Sequence, residues 1–322
     1  MSRLINVSQE VVSRAPKPAE TPRGSRVSQA IPPAGLVQLA GSIVLLGGAW
    51  PATKYAFMLG ATPAWFAVGR AGLSGLAAFA ALALLGRLRL PRRADLPAVF
   101  AVGLLQLAAF FALAHEATSW IPAGRTAILA NTTTIWIVPL SLIVLGEAIS
   151  PRRWIATGFG LAGVAVLVSP WSIDWTSRQV LIGHAFLLGA ALAFAVAIVA
   201  VRARPPSSTM LELLPWCFGL ATLVLLPLAL LHAPGGGIGQ NPGAWLILGL
   251  IGLVAGPVGT WCVMQASATL PAMVASIGFL ATPAAGLLLA ALWLGEAMTP
   301  ALIAGSALIL AGLATAAWPA RR

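Results

Sequence analysis

Beyond residue 33 the chain is a succession of apolar runs, each about 20 residues long, which is the length a helix needs to cross the hydrocarbon core of a bilayer. Charged residues and Pro/Gly-rich breaks separate the runs. The pattern predicts ten spanning helices, at 34–59, 63–86, 96–114, 122–145, 151–169, 181–201, 210–231, 243–268, 271–294 and 300–318. The stretch 243–294 is nearly continuous and divides mainly at "ASATLPA". Residues 1–33 contain no such run. With Arg3, Arg14, Lys17, Arg23 and Arg26 among Pro, Ser and Ala, they read as a disordered basic tail, not as a cleavable signal peptide.

Composition agrees with a membrane solvent. Hydrophobic residues make up 59% of the chain and charged residues 8%, whereas about a quarter of a soluble domain is charged. The fold class expected is an all-α polytopic membrane protein. The net charge of +11 does not form a basic stripe for nucleic acid, because the arginines stand at the ends of apolar spans. Lipid headgroups are their expected partners. Cys217 and Cys262 both fall inside spans, so neither a disulfide framework nor a metal cluster is expected, and no cofactor is implied.

Orientation follows from the short loops. A cytoplasmic N-terminus puts the tail, Arg87, Arg89, Arg92, Arg93, Arg152, Arg153, Arg202, Arg204, Arg321 and Arg322 on the inner side, leaving Arg125 and Arg178 outside and Lys54 and Arg70 within spans. Both termini are expected in the cytoplasm of a cell with this protein in its inner (plasma) membrane. Tryptophans such as Trp65, Trp120, Trp245 and Trp293 fall near outer span ends, as an interfacial belt requires. Trp50, Trp136 and Trp261 lie well inside spans.

The phrase "LGEAISP" at 145–151 returns as "LGEAMTP" at 294–300, 149 residues later. At the same offset Pro122-Ala123 fall on Pro271-Ala272, Thr133 on Thr282, "LAG" at 161–163 on "LAG" at 310–312, and Pro170 on Pro319, without a gap. Duplication explains this. Each half holds five spans, an odd number, so the second copy is expected to be inverted: residues 34–170 form one repeat and 181–319 the other. Two inverted copies provide inward-open and outward-open arrangements of similar energy. Gly146 and Gly295 can end their helices in a left-handed cap, and Ser150-Pro151 and Thr299-Pro300 read as the N-cap and first-turn proline of the next helix. Glu147 and Glu296 are then expected near the N-terminus of that next helix.

Ten spans in two inverted halves, each closing with "P-A…T…LGEA…P…LAG", resemble the drug/metabolite transporter superfamily, specifically a chain with two EamA-type repeats, over residues 36–318. The opening "GGAWPATKYA" is similar to the tryptophan-bearing first helix of such proteins. The resemblance implies export of amino acids or related small metabolites, with YddG-type amino-acid exporters as the functional model.

A polar group inside a bilayer requires a partner or a function. At mid-depth stand Gln106, Asn131, Thr132, Thr133, Thr134, Ser276 and Thr282; the hydroxyls among them can also bond to their own helix backbone. Lys54 and Arg70 can hold a substrate carboxylate or snorkel to headgroups. Trp50 and Trp261 can wall an apolar pocket or serve in packing. Pro51, Pro139, Pro257 and Pro283 each free a carbonyl and are candidate hinges. All eight acids fall in the tail, in loops or near span ends, which favours facilitated over proton-coupled transport; proton-coupled drug or metabolite efflux is the alternative. A membrane-embedded enzyme would need clustered His, Asp or Glu, and His115, His184 and His232 are scattered among spans. A non-transporting scaffold has no need of two pseudo-symmetric gates. Since ten spans in one chain complete the pseudo-dimer, a monomer is expected.

Overall fold

The computed structural model describes residues 32–146, 151–168, 177–270, 272–279 and 281–317. The basic tail and Glu147 therefore lie outside the described residues. All regular structure among those described is helical: α1 (Pro33–Met58), α2 (Pro63–Leu84), α3 (Arg93–Trp120), α4 (Ala123–Leu145), α5 (Pro151–Val168), α6 (Arg178–Ala203), α7 (Met210–His232), α8 (Pro242–Ser267), α9 (Ala272–Phe279), α10 (Ala281–Leu294) and α11 (Pro300–Ala317). Seven of these are long and apolar enough to cross a membrane, namely α1 to α4 and α6 to α8, while the apolar helices at 154–166, 281–294 and 300–312 are shorter. The outer surface is apolar, with Leu84 at 89%, Leu292 at 83% and Ile143 at 77% exposure, which only a lipid solvent makes tolerable.

Helix packing carries a symmetry that the sequence offset anticipates. Helix α1 packs along α8 and α10, and α6 packs along α3 and α4; α2 lies on α7, α5 on α11, and α4 on α10. Exchanging each helix for its counterpart in the other half leaves this set of pairings unchanged. Within α3 and α8 the backbone widens into π-helical turns at Ala101–Ala109 and Leu250–Ala255, which start at equivalent positions. The repeated "LAG" has its reason in the α5–α11 contact. A β-carbon on Gly163 would stand 2.7 Å from the Gly305 carbonyl oxygen, and one on Gly312 would stand 2.7 Å from that of Ala156. Position 305 is the repeat counterpart of 156, so the two close approaches are one contact seen twice. Only glycine lets the backbones meet at that distance.

Loops gather into two sets, one at each end of the bundle. At one end the buried Asp95 carboxylate accepts from the backbone N–H of Arg92, Ser207 and Ser208 and from both serine hydroxyls, at 2.7–3.0 Å. Trp216 Nε1 donates to the Arg89 carbonyl, and Arg87 pairs with Glu212 at 3.2 Å. At the other end Thr62 and Gly237 exchange hydrogen bonds and Trp65 Nε1 donates to the Ala233 carbonyl at 2.9 Å.

Both glycines of the repeated phrase take the left-handed conformation, Gly146 at φ 63° and Gly295 at φ 67°. Thr299 caps α11 through its hydroxyl, accepting from Leu302 N at 3.2 Å. Glu296 departs from expectation. Its carboxylate accepts from Ala123 N at 2.5 Å and Gly124 N at 2.8 Å, so it caps α4 of the first half instead of the helix that follows it. Pro122 leaves no donor of its own, and the orphan N–H groups of the first turn need an acceptor, which the crossing of the halves brings there.

Candidate functional site

Helices α1, α2, α3, α4, α6 and α10 surround a cavity of about 340 Å³, a volume within the range of small-molecule sites. Five of the polar and aromatic residues singled out in the sequence line it together: Trp50, Arg70, Asn131, Thr133 and Thr282. Each is brought there by a local feature. Trp50 precedes the buried Pro51 in α1, which runs on to Met58 without ending. Helix α4 is interrupted at Asn131 and Thr132, which stand between Ala123–Ala130 and Thr133–Leu145. Asn131 Nδ2 donates back to the Ala127 carbonyl at 2.6 Å, and the hydroxyls of Thr132 and Thr133 donate to Leu129 and Ala130. The amide oxygen of Asn131 and the threonine lone pairs remain as acceptors. Thr282 lies in the first turn of α10, next to the buried Pro283, and its carbonyl oxygen lies 2.7 Å from where a Gly47 β-carbon would stand, so α1 and α10 are in close contact at the cavity.

Arg70 is the one charged side chain lining this cavity. Its guanidinium sits 4.5 Å from the Phe111 ring centroid, and Nη1 lies 3.2 Å from His115 Nε2. His115 is buried, stacked on Phe111 at 5.5 Å and edged by Phe57 and Phe66. For Nε2 to accept from the guanidinium, the imidazole is neutral with its proton on Nδ1. Thus both partners of Arg70 are uncharged, and no carboxylate lies among the residues lining the cavity. Part of the wall is aromatic: Phe110 meets Trp50 edge-on at 6.3 Å and Phe194 at 5.3 Å. Phe110, Phe194, His115 and the aliphatic Leu46, Ile137 and Ile198 had no signal of their own in the sequence.

Other candidates are elsewhere. Lys54 donates to the carbonyls of Thr118, Ser119 and Ile121 at 2.8, 3.0 and 3.4 Å, closing the C-terminus of α3, so its ammonium donors are already engaged. Gln106 sits half-buried in the π-helical turns of α3 and is not among the cavity-lining residues. Trp261 is 46% exposed and lines a separate apolar pocket with Pro257 and Phe218. Of the candidate hinges, Pro139 lies inside α4 beyond the Asn131 break, and Pro257 begins the last segment of α8 directly after its π-helical turns. The side chains of Thr134 and Ser276 lie outside those described. No group of three or more metal-binding side chains occurs among the described residues.

Comparison with known proteins matches the chain twice to the EamA-like transporter family, over residues 33–169 and 181–318. A "Probable terminal-alkyne amino-acid exporter" of Streptantibioticus cattleyicolor is 27% identical over 84% of this chain and 89% of its own length. The transporter YdfC of Bacillus subtilis is 25% identical over 84% and 87%, and a riboflavin transporter of Rhizobium johnstonii is 28% identical over 42% and 43%. A solved crystal structure superimposes with a TM-score of 0.62 at 21% identity, covering 89% of this chain and 99% of its own. With both halves matched, the chain belongs to the EamA-like transporter family and is a membrane transporter, not an enzyme.

Proposed function

We propose that the protein exports an amino acid, or a related small metabolite with a carboxylate on an apolar body, by facilitated alternating access. The observation that carries this reading is Arg70: a guanidinium on the wall of a 340 Å³ cavity, held by neutral partners and facing no lining acid. A cation at membrane depth is costly without a counter-charge, and a substrate carboxylate would supply one bidentately. Trp50, Phe110 and Phe194 would pack the apolar part, and Asn131, Thr133 and Thr282 offer acceptors for the ammonium. Ten spans in two inverted halves, with the Glu296 end outside, both termini cytoplasmic, and a monomer in the inner membrane complete the proposal. The mirrored helix pairings and the relative named as an amino-acid exporter support it.

The test is counterflow of labelled amino acids in liposomes holding the purified protein, with and without an imposed proton gradient. Saturable accumulation of an apolar amino acid that ignores the gradient supports the reading. Accumulation that requires the gradient would favour the proton-coupled alternative, and no accumulation of any carboxylate would refute the substrate class.

A further inference from the structure

A second cavity, of about 580 Å³, opens between α3, α6 and α7 beneath the start of α2. Its polar groups are gathered at one end. Glu116, the one carboxylate lining it, is half-buried in the last turns of α3; His232, in the last turn of α7, and Thr62, the N-cap of α2, stand at the same end. Among the described residues neither carboxylate oxygen of Glu116 has a hydrogen-bond donor or an ion-pair partner in contact, and the charge that acts on it from a distance is that of His232. His232 is the other titratable group lining the cavity, and its Nδ1 is engaged with the Leu228 carbonyl at 3.0 Å. From that rim the walls become apolar. Leu113 lies about one turn below Glu116, and Leu225 lies seven residues below His232, roughly 10 Å at the helical rise. Trp120 and Phe186, with ring centroids 6.0 Å apart, add aromatic faces beside the acid.

Polarity, depth and charge together describe a molecule with one ammonium on a short apolar body. Such amines partition into a leaflet with the ammonium at headgroup level and the body below it, and Glu116 sits one turn below Trp120, where an interfacial aromatic stands. The acid is not a feature of the duplicated scaffold either, since its repeat counterpart 149 residues on is Gln265. We propose that this slot binds small amphipathic amines through an ion pair with Glu116, with the aromatic faces contributing cation–π contact, independently of the Arg70 cavity.

Equilibrium binding of tritiated 2-naphthylethylamine to the full chain in phosphatidylcholine nanodiscs tests this. The proposal expects saturable binding that Glu116→Gln weakens at least tenfold, that the neutral isostere 2-naphthylethanol competes for poorly, and that Arg70→Gln leaves unchanged. Equal affinity in Glu116→Gln, or equal competition by the alcohol, overturns it. Should Glu116→Gln fail to fold, Leu225→Trp fills the slot from below while keeping the acid, and unaltered binding there overturns the proposal equally. Nanodiscs containing phosphatidylethanolamine provide the lipid arm: unchanged affinity supports a free amine as the occupant, and tenfold weaker binding would reassign the slot to the headgroup.

Discussion

Glu296→Ala removes the one tie described here between the repeated phrase of the second half and the first helix turn of α4. The wild-type carboxylate accepts from Ala123 N and Gly124 N, and its charge also acts on Lys54 and Arg125. A hydrogen bond to a charged group contributes about 1.5–3 kcal/mol when its loss leaves the partner unsatisfied. The charge at a helix N-terminus adds roughly 0.3–1 kcal/mol. Two such bonds and the charge sum to roughly 3–7 kcal/mol, and water at the end of the bundle replaces about half of it, so the net cost is about 2–3.5 kcal/mol. At about 2–4 °C per kcal/mol, the melting temperature should fall by roughly 4–14 °C. Glu296→Gln keeps one oxygen acceptor and should lose about half as much, whereas Glu296→Asp, shorter by one methylene, should fall between the two. The assay is thermal unfolding in one detergent, followed by loss of monodisperse protein. A melting temperature for Glu296→Ala within 1 °C of wild type would refute the reasoning, because it would mean that α4 gains nothing from the acid.

Glycines of α5 provide an internal control: Gly163→Ala should cost about 1–3 kcal/mol by overpacking against the Gly305 carbonyl, whereas Gly158→Ala, whose β-carbon would meet nothing, should be neutral or slightly stabilising in the same melting assay. Asp95→Ala leaves five donors without their acceptor and should lower the melting temperature more than Glu212→Ala, which breaks a solvent-screened pair with Arg87 and the capping box with Thr209. Lys54→Met should destabilise the protein while leaving KM for a carboxylate substrate within twofold, since the ammonium is engaged with backbone carbonyls and Lys54 is not among the residues lining the cavity.

Much of this was legible before any coordinates. The offset of 149 residues anticipated the left-handed Gly146 and Gly295, the Thr299 cap and the equivalence of Gly163 with Gly312, because glycine, proline and capping residues report local backbone geometry. Asn131, Thr133 and Thr282 stood out as polar groups at mid-depth, where hydrocarbon gives them no partner, and they line one cavity with Trp50 and Arg70. Apolar partners were not. In a span that is apolar all round, Phe110 and Phe194 differ from their lipid-facing neighbours only in which way the packed helix turns, and Trp261 could not be told from Trp50. Partners that cross from one helix to another were hidden for the same reason. That Lys54 closes α3, that His115 receives Arg70, and that Glu296 reaches α4 all depend on how α1, α2, α3 and the α10–α11 loop meet in space.

Arg70 is the residue proposed to hold the carboxylate of the transported molecule. Counterflow of the best apolar amino acid, measured as initial rate against concentration for wild type, Arg70→Lys and Arg70→Gln in the same liposomes, tests it most directly. Arg70→Gln should raise KM at least tenfold or abolish transport, Arg70→Lys should recover part of the affinity by keeping the charge but not the planar fork, and the amide analogue of the substrate should be transported poorly by wild type. Wild-type rates and KM in Arg70→Gln would contradict the account and move the substrate elsewhere in the bundle.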